Sequence, residues 1–347
     1  MKARTKEIIR DGFGSLVSNS SALRGAKAGP FWLTLVMFIL GIFLPVVPQL
    51  VSYANTNGST FLNTYSYGLE KNVTALATNL KNERNVEFEI DADHLLTVRE
   101  NNQVVDYANY GYLYPYGYKV NEKSNQFDLL LYISDRTIES DKQTVVELIN
   151  NKYFALNSYH EATTTDVDLY RPSYVVLFKN GVYVSIFSSN STQQAAYSFS
   201  GDFKTIEPNN HCLETLLKVD NVEQNIYNTE YCNGVYANFK AFLDKSYETL
   251  KIRNVFVNSA VFFGIYFGIS VLMGLIMFLL TRGKKNPNNY FSLWLCLKIQ
   301  ARLGFCPGLI TLIAGFFLVS QSPIIFVMTV GLRVMWISMK ELRPIQQ

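Results

Sequence analysis

Three stretches of this chain carry almost no charge, and they decide what it can fold into. Pro30 to Leu69 and Asn254 to Thr281 contain no charged residue, and Leu303 to Met339 contains only Arg333. A helix needs about 20 apolar residues to cross the roughly 30 Å hydrocarbon layer of a bilayer. These runs therefore read as membrane segments.

The charges that remain are divided by region. Residues 52–253 hold 17 Lys/Arg and 25 Asp/Glu, a net of −8. The rest of the chain holds 14 Lys/Arg and 3 Asp/Glu, a net of +11. Basic residues stay on the cytoplasmic side of a membrane. Lys2, Arg4, Lys6, Arg10, Arg24 and Lys27 precede the first apolar run, so residues 1–30 are expected inside. Within them Ile9, Phe13, Leu16 and Val17 follow helical spacing, as in a helix lying on an anionic leaflet; a loose basic tail is the competing reading. The first span is expected over 31–53. A cleaved signal peptide ending at Ser52-Tyr53-Ala54 is the alternative, but the apolar run and the region before it are longer than a signal core requires.

An extracytoplasmic domain is then expected over 54–253 and a second span over 254–281. A cytoplasmic loop covers 282–290. Residues 291–319 read as an interfacial helix followed by a third span from about Leu303, with the break at Pro307-Gly308. An outer turn at 320–323, a fourth span at 324–340 and a cytoplasmic tail at 341–347 complete the order. Lys298 and Arg302 are placed at the interface. The fold class is an α+β extracytoplasmic domain inserted in a four-helix transmembrane α bundle, in a cell membrane.

Within 54–253, Leu69, Val73, Leu76 and Leu80 mark a helix. "VEFEI" (Val86 to Ile90) alternates with the period of a half-buried strand, and a hairpin is centred on Asn101-Asn102. "FDLLLYIS" reads as a strand buried on both faces, and "DKQTVVELINN" as a helix. "YVVLFKNGVYVSIFS" reads as a hairpin turning on Asn180-Gly181. "AYSFSGDF" adds a further strand. From Glu207 the pattern is helical and leads into the second span without a Gly or Pro break, which would couple the two parts rigidly.

Little chemistry is legible. The histidines are His94, His160 and His211, none at metal-ligand spacing, and no nucleophile elbow or phosphate loop occurs. No catalytic residue, metal site or cofactor is assigned, and the acidic domain argues against nucleic acid as a partner. Tyr110, Tyr112, Tyr114, Tyr116 and Tyr118 share one face if that segment is extended. The row is either a packed edge or a ligand platform, and Pro115 keeps it out of a central strand. Cys212 and Cys232 form a disulfide candidate if their domain is outside the cell. Gly264, Gly268 and Gly274 offer close helix packing. Arg333 lies deep in the fourth span, as a functional or bracing residue or one that snorkels to the interface.

The basic N-terminus before "FWLTLVMFILGIFLPVVPQL", the strands "FDLLLYIS" and "YVVLFKNGVYVSIF", and the Pro-broken pair "FCPGLITLIAGFF" and "PIIFVMTVGLRVMWISM" carry a resemblance. The chain resembles a bacterial family of four-span membrane proteins of unknown function that includes a maltodextrin-utilisation protein and is distantly Yip-like. The resemblance implies an accessory role near carbohydrate uptake or the envelope and no reaction. The expected function is thus a non-enzymatic membrane protein with an outer sensing or binding domain, in contact with the bilayer and with a transporter or envelope complex. A permease-like subunit of a mechanotransmitting ATP-binding-cassette system is the alternative. An outer-domain hydrolase gathering His160 and Glu161 is the third reading.

Overall fold

A computed structural model describes residues 10, 13–62, 69–105, 116–118, 129–160, 173–187, 196–282 and 286–342. The chain divides into two compact units, one of residues 56–252 and one formed by 1–55 with 253–347.

The 56–252 unit holds two sheets. Strands β1 (Val86–Ile90), β2 (Leu96–Glu100) and β3 (Gln103–Val104) form an antiparallel meander. In β1 the buried residues alternate with Glu87 and Glu89, as the period-two pattern requires. Glu89 meets Arg99 of β2 at 2.9 Å. The β2–β3 turn places Asn101 and Asn102 at φ 51° and 64° between the paired Glu100 and Gln103, the left-handed pair that a two-residue hairpin favours.

The second sheet has the order β4 (Tyr116–Tyr118), β5 (Leu129–Ile133), β6 (Ser173–Phe178), β7 (Gly181–Phe187), β8 (Ala196–Asp202). Its one parallel pair, β5 with β6, is joined by the crossover helix α1 (Ile138–His160). One sheet face packs Leu130, Tyr132, Val176 and Phe178 against Val145 and Ile149 of α1. The other turns Leu129, Leu131, Val175, Leu177, Val182 and Val184 into the main core. Helices α2 (Leu69–Thr78) and α3 (Cys212–Leu217) and the first part of α4 (Thr229–Thr281) complete that core. Strand β9 (Asn210–His211) extends the first sheet beside β1, ahead of α3. The α3 start is fixed by Glu87, whose carboxylate accepts the Leu213 N–H at 3.0 Å.

The β6–β7 hairpin corrects one expectation. Phe178 pairs with Gly181, so the two turn residues are Lys179 and Asn180, and neither has a positive φ. The Asn180 side chain caps α1 instead. Its carbonyl accepts from Ile138 N at 2.9 Å, and its amide donates to Glu139 at 2.8 Å.

The other unit is helical. It contains α5 (Asn19–Ala28), α6 (Phe31–Phe43), α7 (Val47–Asn55), the second part of α4, α8 (Leu293–Leu303), α9 (Phe305–Phe317) and α10 (Ser322–Lys340). Among the described residues four helical stretches are long and apolar enough to cross a membrane: Phe31–Asn55, part of Thr229–Thr281, Leu293–Phe317 and Val319–Lys340. By length and composition the chain is a multi-pass membrane protein. Pro45 sits in a 3-10 turn, Leu44–Val46, that links α6 to α7. The α8–α9 break falls at Gly304 rather than at Pro307-Gly308. Pro307 stands in the first turn of α9, where its missing N–H breaks no helical bond. Gly308 serves a crossing: a Cβ there would lie 2.6 Å from the Gly41 carbonyl oxygen.

Candidate functional site

The main core of the 56–252 unit is not filled. It encloses a cavity of about 200 Å³. Val73, Leu76, Ala77 and Leu80 line it from α2 and the turn that follows. Phe88, Ile90, Leu129, Leu131, Val175 and Leu177 line it from the strands. All ten are buried, and together they make a closed apolar floor. The opposite side is different. Asn210, Cys212, Thr215 and Leu216 from β9 and α3, and Asn238, Ala241, Phe242 and Lys245 from α4, are half-buried or exposed. The cavity opens between these two segments.

Its mouth is polar but mostly committed. Asn238 donates to the carbonyls of Leu216 at 3.1 Å and Lys218 at 2.9 Å, which closes the C-terminal end of α3. Lys245 pairs with Glu207 at 3.1 Å, and both are well exposed. The Cys212 Sγ lies 3.8 Å from the Asn210 carbonyl oxygen. Burial, with the negative charge of Glu87 behind it, pushes its thiol up to about 12. A thiol at that value is protonated at neutral pH and is no nucleophile.

The floor offers water no hydrogen-bond partner, so an occupant with apolar surface is favoured over solvent there. A sugar would gain nothing here, because its hydroxyls would be buried against Leu, Val and Phe without partners.

Of the candidate site residues singled out from the sequence, Cys212 alone lines the cavity among the described residues. Tyr110, Tyr112 and Tyr114 lie outside the described residues. Tyr116 and Tyr118 are on the edge strand β4, in register with Leu131 and Leu129. Cys212 and Cys232 are both free thiols, and the Cys232 Sγ faces the Ile226 carbonyl oxygen at 3.3 Å. A Cβ at Gly264 or Gly268 would meet nothing within 4 Å, whereas one at Gly274 would lie 2.7 Å from the Leu297 side chain. Among the described residues no group of three or more His, Cys, Asp or Glu is placed to hold a metal ion.

Arg333 ties three pieces of the helical unit together. Its guanidinium donates to the Leu303 carbonyl at 3.0 Å, to the Asn19 side chain at 3.2 Å and to the Ser15 carbonyl. Arg302, placed at the interface from sequence, is only 1% exposed. Its Nε donates to Thr34 at 3.0 Å, and its guanidinium fills the space above Gly25 of α5 and Gly29, which caps that helix. Spacing on α8 could not show this, because the cradle is built from residues about 270 positions away.

No family model, curated protein or solved structure matches this chain. Its functional reading therefore rests on the residues themselves.

Proposed function

We propose that this multi-pass membrane protein binds an apolar ligand in its 56–252 unit, on the outer side of a cell membrane. The role is one of binding and sensing, not catalysis, in service of an envelope or uptake complex. The cavity is the observation that carries the reading: a floor of ten buried apolar residues, faced by half-buried and exposed residues of α3 and α4. The high value of the one thiol at the mouth supports binding over covalent chemistry. One helix, α4, supplies cavity residues from Asn238 to Lys245 and also the second apolar stretch. The charge partition supports the orientation, with a net of −8 over residues 52–253 and the excess of basic residues in the rest of the chain.

Native mass spectrometry of the full-length protein tests the reading. An apolar molecule is expected to co-purify, and Ala77→Leu, which fills the floor with the chain's own side chain, is expected to release it. A wild-type protein that carries no such mass and gains no thermal stability from any added hydrocarbon would sink it.

A further inference from the structure

We infer, resting on the reading above, that the cavity takes a single acyl chain with an anionic head group, the tail in the floor and the head at Lys245. Size sets the first limit. About 200 Å³ is room for roughly seven groups of water's size, which suits one flexible chain segment and not a fused-ring system or a two-chain lipid. Chemistry sets the second. The floor residues Val73, Leu76, Leu80, Leu131, Val175 and Leu177 offer no hydrogen-bond partner, so the inserted part of the ligand is hydrocarbon throughout.

Charge at the opening chooses the head. Lys245 is the cation among the lining residues, and none of the residues lining the cavity is acidic. Its partner Glu207 is largely exposed, and such a pair gains little from its mutual attraction. A carboxylate carried to the mouth by a buried tail replaces Glu207 at no cost in burial. Asn210 and Thr215 stand at the same opening as further polar neighbours. A cationic amphiphile would bring its charge against that of Lys245, and a neutral one leaves Lys245 unused.

The test uses full-length protein in lipid nanodiscs and two photoreactive probes, octanoic acid and octanol, each with a diazirine near its methyl end. Octanoic acid is expected to label peptides of the floor, Val73–Leu80 or Val175–Leu177. Ala77→Leu is expected to abolish that labelling with an unchanged or raised melting temperature. Lys245→Gln, at an exposed position that leaves the core intact, is expected to cut labelling by the acid about threefold and leave the alcohol unaffected. Equal labelling of the floor by both probes, indifferent to Lys245, would overturn the anionic head while the apolar-ligand reading stands. Labelling confined to the apolar spans, or absent, would overturn both and give the cavity to the chain's own side chains.

Discussion

Gly25 and Gly29 are packed on the guanidinium of Arg302. A Cβ at Gly25 would sit 2.1 Å from Arg302 Nη1, and the guanidinium is buried and held by Thr34, so it has little freedom to withdraw. Gly25→Ala is expected to cost about 1–3 kcal/mol by overpacking, read as a lowered melting temperature of the purified protein. Gly264→Ala is the matched control. With nothing within 4 Å of the new methyl, it is expected to be neutral or slightly stabilising, since Ala is the better helix former. A loss at Gly264 as large as at Gly25 would show that a second chain covers that face in the membrane. A related argument applies to Arg333. Arg333→Gln removes donors from the Leu303 and Ser15 carbonyls and is expected to cost about 2 kcal/mol. Faster hydrogen exchange over residues 13–28 is the measurement that checks it, and unchanged exchange there would deny the bracing role.

At the scale of elements, local pattern was readable where the interaction is local. The β1 alternation, the α2 spacing and the Asn101-Asn102 turn all report neighbours a few residues apart, and each is present. Asn180-Gly181 marked its hairpin but misplaced the turn by one residue, because the Asn180 side chain is held by α1, some 40 positions away. Pro115 required an edge strand or a loop, and β4, beginning at Tyr116, stands at the edge of its sheet among the described residues. The β5–β6 parallel pairing, the two-residue β9 and the cavity were not legible, because each gathers residues that are distant in the chain. The α1 cap gives a prediction. Asn180→Ala removes the acceptor from Ile138 N–H and is expected to cost about 1 kcal/mol. Asn180 is also the first cause that holds the Glu139 carboxyl below its ordinary value. A depressed folded value contributes stability above the ordinary carboxylate range, lost as pH falls through the depressed one. The gap between wild type and Asn180→Ala is therefore expected to narrow on acidification. Glu139 is exposed, so the narrowing is a few tenths of a kcal/mol at most, about the size of a screened surface pair. Thermal unfolding across the acid range checks both the offset and its slope.

For the whole molecule, the division of charge does what no single residue does: it proposes which side each unit faces. Basic residues near apolar segments resist translocation, whereas acidic ones contribute little to orientation. The asymmetry therefore rests on the 14 Lys/Arg outside residues 52–253, set against 3 Asp/Glu there. The prediction follows for a protein in intact cells and a thiol reagent that cannot cross the membrane. In a background with the four cysteines replaced, Lys204→Cys, at an exposed site of the 56–252 unit, is expected to react from outside. Asn289→Cys, also exposed but between α4 and α8, is expected to react only after lysis. The reverse pattern would put the cavity and Lys245 on the cytoplasmic side. Reaction at both sites in intact cells would mean that the second apolar stretch, within α4, does not cross. Either result would leave the cavity's chemistry untouched and change where its acyl chain comes from, so the accessibility experiment is the one to do before the ligand is sought.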